Sequence, residues 1–184
     1  MTTIDPAKLE YNSFTYLPKF PYNCITFLID NNELVWKLLK YNTSDAWNKT
    51  NLTKAQKGAL IYNGSPIATD FRVFMDTGID DSFNIEACIL RISVLSAIPN
   101  NYIWGSVEMA MEVYSHYKIN TLNNYTTRLD SIMQSLIDTF NGADIPNGVG
   151  RLYFDVSKTS ACKISTVGVT PYKGKVIVFC SHTV

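Results

Sequence analysis

The chain has 184 residues, of which 46% are hydrophobic, and it carries 16 basic and 16 acidic side chains. That length supports one domain with a real core and is short for two. Zero net charge excludes a global electrostatic footprint for nucleic acid, and no apolar run is long enough to span a bilayer.

Charged residues make up only 17% of the chain, below the usual quarter, with Tyr, Asn, Ser and Thr in their place. A polar, weakly charged surface suits contact with another protein, because burying charge is costly and burying Tyr is not. An AT-rich genome accounts for the same residues equally well. Near-neutrality also removes the self-repulsion that keeps monomers apart. The four cysteines are Cys24, Cys88, Cys162 and Cys180. Three sit in apolar stretches and read as small buried hydrophobes. The start of the chain has no charged-then-apolar signal segment, so reduced thiols and an intracellular assembly site are expected.

In chain order, residues 1–22 read as an extended arm. Pro6, Pro18 and Pro21 argue against a regular helix or a central strand there. Its aromatics Tyr11, Phe14, Tyr16, Phe20 and Tyr22 must find apolar surface, on the chain's own domain or on a neighbour. Residues 23–184 read as a single α+β domain. Residues 24–42 are expected to be helical, with a break at Asn31-Asn32 where Asn32 can cap the second piece. Leu34, Val35, Leu38 and Leu39 form one apolar stripe, with Trp36 and Lys37 off it. Thr53-Lys54-Ala55-Gln56 has capping-box form and predicts a short helix, and Gly64-Ser65-Pro66 breaks the chain.

The middle reads as strands: Phe71–Asp76, Ile85–Leu95 and Val107–Tyr117. In the last, Val107, Met109, Met111 and Val113 point one way, and Glu108, Glu112, Tyr114 and His116 the other. That alternation predicts a sheet covered on one side. The strongest helix signal follows. Thr127 caps it, and Leu129, Ile132, Met133, Leu136, Ile137 and Phe140 recur along one face. Asn141-Gly142 ends it, with Pro146 beyond. Gly150–Val156, Cys162–Val169 and Lys175–Ser181 complete the strands, with a turn at Pro171-Tyr172-Lys173-Gly174. The fold class is therefore α+β: N-terminal helices, then a mixed, mainly antiparallel sheet with one long amphipathic helix packed on it.

Few groups suggest chemistry. Cys180 and His182 share a strand face, but two ligands are not a metal site. Glu108 and Glu112 stand roughly 13 Å apart by strand rise, too far to cooperate as acid and base. Asp76, Asp80 and Asp81 around Thr77-Gly78 could serve a metal-dependent nuclease or hydrolase, with His116 as a further candidate. A turn between strands uses the same residues and is the preferred reading. The glycines form neither a P-loop nor a dinucleotide fingerprint. No catalytic, cofactor-binding or metal-ligating residue is assigned, and no cofactor is expected.

Three segments together carry a resemblance. They are Asn32–Tyr41 with Ser44-Asp45-Ala46, then Glu112–Tyr117, then Thr127–Met133 with Gly148–Leu152. In this order they resemble the small neck, head–tail joining and tail-completion proteins of tailed bacteriophages. The Asn- and Tyr-rich style is similar to phages of low-GC hosts and to crAss-like phages. The resemblance implies a non-enzymatic virion protein that closes into a homo-oligomeric ring in the neck. It would contact the portal or an adaptor ring protein, other neck or tail proteins and, non-specifically, DNA in the channel, with no membrane involved. A ring needs a head-to-tail interface that closes by rotation. The interface candidates are Phe14, Tyr16, Phe20, Tyr22, Tyr114, His116 and Arg128, and the flexible polar loop Lys118–Tyr125 would point to the channel or to the next ring.

Overall fold

A computed structural model describes residues 14–65, 67, 71–75, 85–99, 105–146, 150–155, 157 and 163–183. It is α+β, as the residue pattern predicts. Four α-helices, α1 (Phe20–Asn31), α2 (Leu34–Lys40), α3 (Lys54–Gly58) and α4 (Arg128–Phe140), accompany a seven-stranded sheet. The strands are β1 (Val73–Phe74), β2 (Cys88–Pro99), β3 (Gly105–His116), β4 (Asp144–Ile145), β5 (Gly150–Tyr153), β6 (Ile164–Val169) and β7 (Tyr172–Thr183).

The extended arm expected over residues 1–22 is corrected from Phe14 onward. Phe14–Lys19 forms a 3-10 helix that contains Pro18, and α1 begins at once with Pro21 in its first turn. Proline breaks a helix only where its missing N–H and its ring meet a preceding turn; in the first turn it costs nothing. Phe20 is buried in the main core and thus anchors the helix to the chain's own domain. Residues 1–13 lie outside the described residues.

The break between α1 and α2 falls where expected. Asn32 Oδ1 accepts the Val35 N–H at 2.8 Å, as a cap should. Its Nδ2 donates to Ser135 Oγ at 2.8 Å and Thr139 Oγ1 at 2.7 Å, so one side chain caps α2 and ties it to α4. Trp36 is a second correction. It is fully buried and donates Nε1–H to Leu28 O at 3.0 Å. Helix α2 packs against α4 and also against β2, so more than one stripe of it is covered.

At α3 the capping box is complete. Thr53 Oγ1 accepts from Gln56 N, and Gln56 Oε1 accepts from Thr53 N. Lys57, only 2% exposed, then reaches back to Ile29 O at 2.7 Å, Asn32 O at 3.1 Å and the Glu33 carboxylate at 2.6 Å. A buried ammonium at the C-terminal end of α1 meets orphan carbonyls and the negative end of the helix dipole together.

The sheet order is β1-β2-β3-β7-β5-β4, with β6 also on β7. Among the described strands β1 and β2 are the parallel pair. The three central strands are each twelve residues long; β3 pairs with β7 along its whole length, and on its other side β7 outlasts either neighbour. Its first half pairs with β6, and Cys180 and Ser181 pair with β5. A register shift between Val94 and Ser96 bends β2. Val107, Met109, Met111 and Val113 of β3 join Leu90, Ile92, Ile177 and Phe179 beneath the helices in the main core. The alternation expected for β3 is therefore present, although His116 is buried.

The other face is not simply polar: Phe74, Ile89 and Tyr172 form a small second cluster, with Tyr62, Phe71 and Tyr114 against it. Strand boundaries also shift: β2 begins at Cys88 rather than Ile85 and runs on to Pro99, and β7 extends beyond Lys175–Ser181 at both ends. The strand expected over Phe71–Asp76 is described only at Val73–Phe74. The turn expected at Pro171–Gly174 is the tighter Thr170-Pro171, with Val169 paired to Tyr172. Gly174 belongs to β7 because Tyr114 lies across it. A Cβ there would stand 2.7 Å from Tyr114 Cδ1 and 2.8 Å from Val167 Cγ2. Gly174→Ala is expected to destabilise the fold by about 1–3 kcal/mol through overpacking. Urea unfolding checks this, and an unchanged midpoint would mean that the Tyr114 ring moves freely.

Candidate interaction surface

The end of the sheet where β3 closes and β7 opens is built by three loops, residues 41–48, 85–87 and 117–127. Arg128, the first residue of α4, holds two of them. Its Nε donates to Ile119 O at 3.0 Å. Nη1 donates to Leu38 O and, at 2.8 Å, to Tyr41 O, and Nη2 donates to Thr43 O at 3.0 Å. Leu38 and Tyr41 end α2, so the guanidinium takes up orphan carbonyls at a negative helix end. Arg128 is fully buried, and burial lowers its pKa from the ordinary arginine value.

Side chains stitch the loops from outside. Asn42 Nδ2 donates to Glu86 O at 2.6 Å, Lys118 pairs with the Glu86 carboxylate, and the Tyr172 hydroxyl donates to Ile85 O. The Lys118 bond holds the Glu86 pKa below its ordinary value. Both partners are about half exposed, so the pair orients more than it stabilises. Asn123 N–H donates to Ser44 O at 3.0 Å, and Trp47 Nε1–H donates to Asn123 Oδ1 at 2.7 Å.

This frame holds three aromatics in solvent. Trp47 is 37% exposed, Tyr117 54% and Tyr125 100%. Tyr125 also has φ +63°. A left-handed non-glycine residue costs about 1–3 kcal/mol and persists where its surroundings hold it. Here Leu122 N–H binds Thr126 O and Tyr125 N–H binds Leu122 O. A fixed loop that holds a whole aromatic ring in water, at a backbone cost, makes this end of the sheet the candidate surface for docking.

The structure scatters the interface candidates chosen from sequence. Phe20 and Arg128 are interior, a correction for both, since neither has surface for a neighbour. Tyr22 is 54% exposed on α1. Tyr114 lies on the opposite face of the sheet from the main helices; its hydroxyl donates to the Glu112 carboxylate at 2.9 Å. Burial, reinforced by Glu112, pushes that phenol up to about 12. His116 is buried at the loop end. Its Nδ1 accepts from Lys118 N, and its ring packs against Tyr117 and Tyr172. The side chains of Phe14 and Tyr16 lie outside the described residues.

The loop Lys118–Tyr125 is not uniformly polar, because Ile119, Asn120 and Leu122 are buried. Trp47, Tyr117 and Tyr125 were not selected from sequence. An available signal was the aromatic within the turn-forming run Asn123-Asn124-Tyr125-Thr126.

Asp76, Asp80, Asp81 and Cys162 lie outside the described residues. Among the described residues no three His, Cys, Asp or Glu side chains converge as a metal site. Cys24, Cys88 and Cys180 are buried. Glu108 accepts from Ser96 Oγ at 2.8 Å. No helix among the described residues is long and apolar enough to cross a membrane. The model of the YomW family matches residues 31–180, from the end of α1 to within β7. No curated protein matches the chain.

Proposed function

The chain belongs to the YomW family, a phage-derived protein family, and on that premise we propose that it is a structural, non-enzymatic virion protein. In this reading it forms a ring in the phage neck that joins the portal or head to the tail. The observation that carries the proposal is the loop end of the sheet. Arg128 fixes loops that hold Trp47, Tyr117 and Tyr125 in solvent. Enriched aromatics on a weakly charged surface are what a protein partner recognises. Rigid loops bind without a large ordering cost. Closing a ring also needs a second, different patch on each subunit. Tyr22, exposed on α1, is the candidate for that patch.

Tyr125→Gly separates docking from folding. Glycine adopts φ +63° freely, so stability should hold or rise by up to about 1 kcal/mol. Assembly should fall, because the exposed ring is gone. The test is electron microscopy of lysates from phage that lack this protein, complemented with the natural chain or with Tyr125→Gly. The expected result is filled heads separated from tails without the protein, and poor rescue by the variant. Intact tailed particles without the protein would refute the neck reading. Full rescue by Tyr125→Gly would move the docking surface elsewhere.

A further inference from the structure

Helix α4 packs on β3 and β7, and β6 extends the sheet past it. A groove of about 520 Å³ is left between the first turn of α4 and the β6–β7 hairpin. Thr127, Leu129 and Asp130 form one wall, and Thr166 and Gly168 part of the other. The register puts Ile164, Thr166 and Gly168 on the same face as Ile177, Lys175 and Lys173. Ile164 is 41% exposed beside it.

The edge of β6 offers the backbone. Among the described residues its only strand partner is β7. Val178 N–H binds Lys163 O at 3.3 Å. The two-residue period of a strand then turns the backbone groups of Ile164, Thr166 and Gly168 outward, away from β7. Charge says what would pair there. Lys173 lines the groove, Lys163 stands at the start of β6, and both are exposed. The carboxylate lining the groove, Asp130, is already held by Lys175.

We propose that this groove and the β6 edge bind an extended peptide segment of a partner protein that carries carboxylates. The segment would add a strand to β6, place alternate side chains in the groove and set its carboxylates near Lys163 and Lys173. A strand fits better than a bare polyanion, because the outward amides repeat every two residues and lysines alone would not use them. Gly168 suits the role. A Cβ there would meet only Tyr172 O, at an ordinary 3.9 Å, so the chain's own packing does not require glycine. Its small size leaves the groove open. The inference goes beyond ring formation and does not depend on it.

The test is fluorescence anisotropy of the full chain with a labelled alternating Glu–Val peptide, and with a Lys–Val peptide as its charge opposite. Saturable binding is expected, at least about ten-fold tighter for Glu–Val. Gly168→Leu should fill the groove and weaken binding by about ten-fold or more, with an unchanged melting temperature as control. Lys173→Glu, at an exposed position, should weaken Glu–Val binding and leave the fold untouched whatever Gly168→Leu does. Absence of saturable binding, equal binding of both peptides, or full binding by Lys173→Glu would overturn the proposal. So would full binding by a folded Gly168→Leu. Self-association abolished by Gly168→Leu would assign the groove to a second copy instead. Single-stranded DNA that binds through Lys173 regardless of Gly168→Leu would assign the lysines to phosphate, and either result overturns the peptide reading.

Discussion

Arg128→Leu is expected to destabilise the chain by about 3–5 kcal/mol, among the largest effects a single substitution can have. Leucine fills part of the space but donates nothing. The carbonyls of Leu38, Tyr41, Thr43 and Ile119 would then lose the donor they share. Thr43 O keeps the Ala46 N–H, and each other buried acceptor left without a partner costs about 1–3 kcal/mol. Water entry and loop relaxation reduce that sum, and so does release of the guanidinium's own desolvation penalty. Arg128→Lys should recover only part of the loss, because one ammonium cannot reproduce a planar fork that serves carbonyls in different directions. Urea unfolding followed by circular dichroism measures the stability. Limited proteolysis should show new cuts within residues 41–48 and 117–126. A loss below about 1 kcal/mol with no new cuts would mean that the loops hold one another without the guanidinium.

Trp36→Ala should cost about 3–5 kcal/mol, as expected when a large aromatic is removed from a core that relaxes only in part. The ring has no measurable exposure and packs where α2 meets α4 and β2. Trp36→Phe isolates the polar contribution. It keeps much of the apolar body and removes the N–H bonded to Leu28 O. About 1–2 kcal/mol is expected, near the worth of one buried hydrogen bond plus some lost contact. The same unfolding experiment checks both variants. An alanine variant as stable as the phenylalanine variant would show that the site collapses around the missing ring.

Both predictions rest on residues that the sequence pattern placed elsewhere. Trp36 fell off the stripe formed by Leu34, Val35, Leu38 and Leu39, because one stripe is all that a helix with one covered face shows. A seven-residue helix packed on two sides does not obey that rule. Phe20 is an interface candidate as an arm aromatic in need of apolar surface, and Arg128 through the resemblance, at the start of a helix. The same side chains fill cores when enough chain surrounds them, and residue type alone does not distinguish the two. Pro18 and Pro21 were read as breakers. Whether Pro21 breaks a helix depends on where α1 begins, and it stands in the first turn; Pro18 stands inside the short 3-10 helix before it.

What the sequence determined alone is what short-range geometry controls. The capping box at Thr53, the side-chain cap at Thr127, the break at Asn32, the amphipathic α4 and the alternation of β3 each rest on neighbours within a few residues. Hydrogen-bond geometry and side-chain period decide such features before any distant contact forms. The α+β class follows from their order. Only the tertiary structure decided the loop end. The acceptors of Arg128 on Leu38, Tyr41 and Thr43 lie 90, 87 and 85 residues away in sequence. No period or spacing encodes contacts of that range. They exist because α2 and α4 pack together on the sheet, and that packing leaves a guanidinium beneath the loops and three aromatic rings above them in solvent.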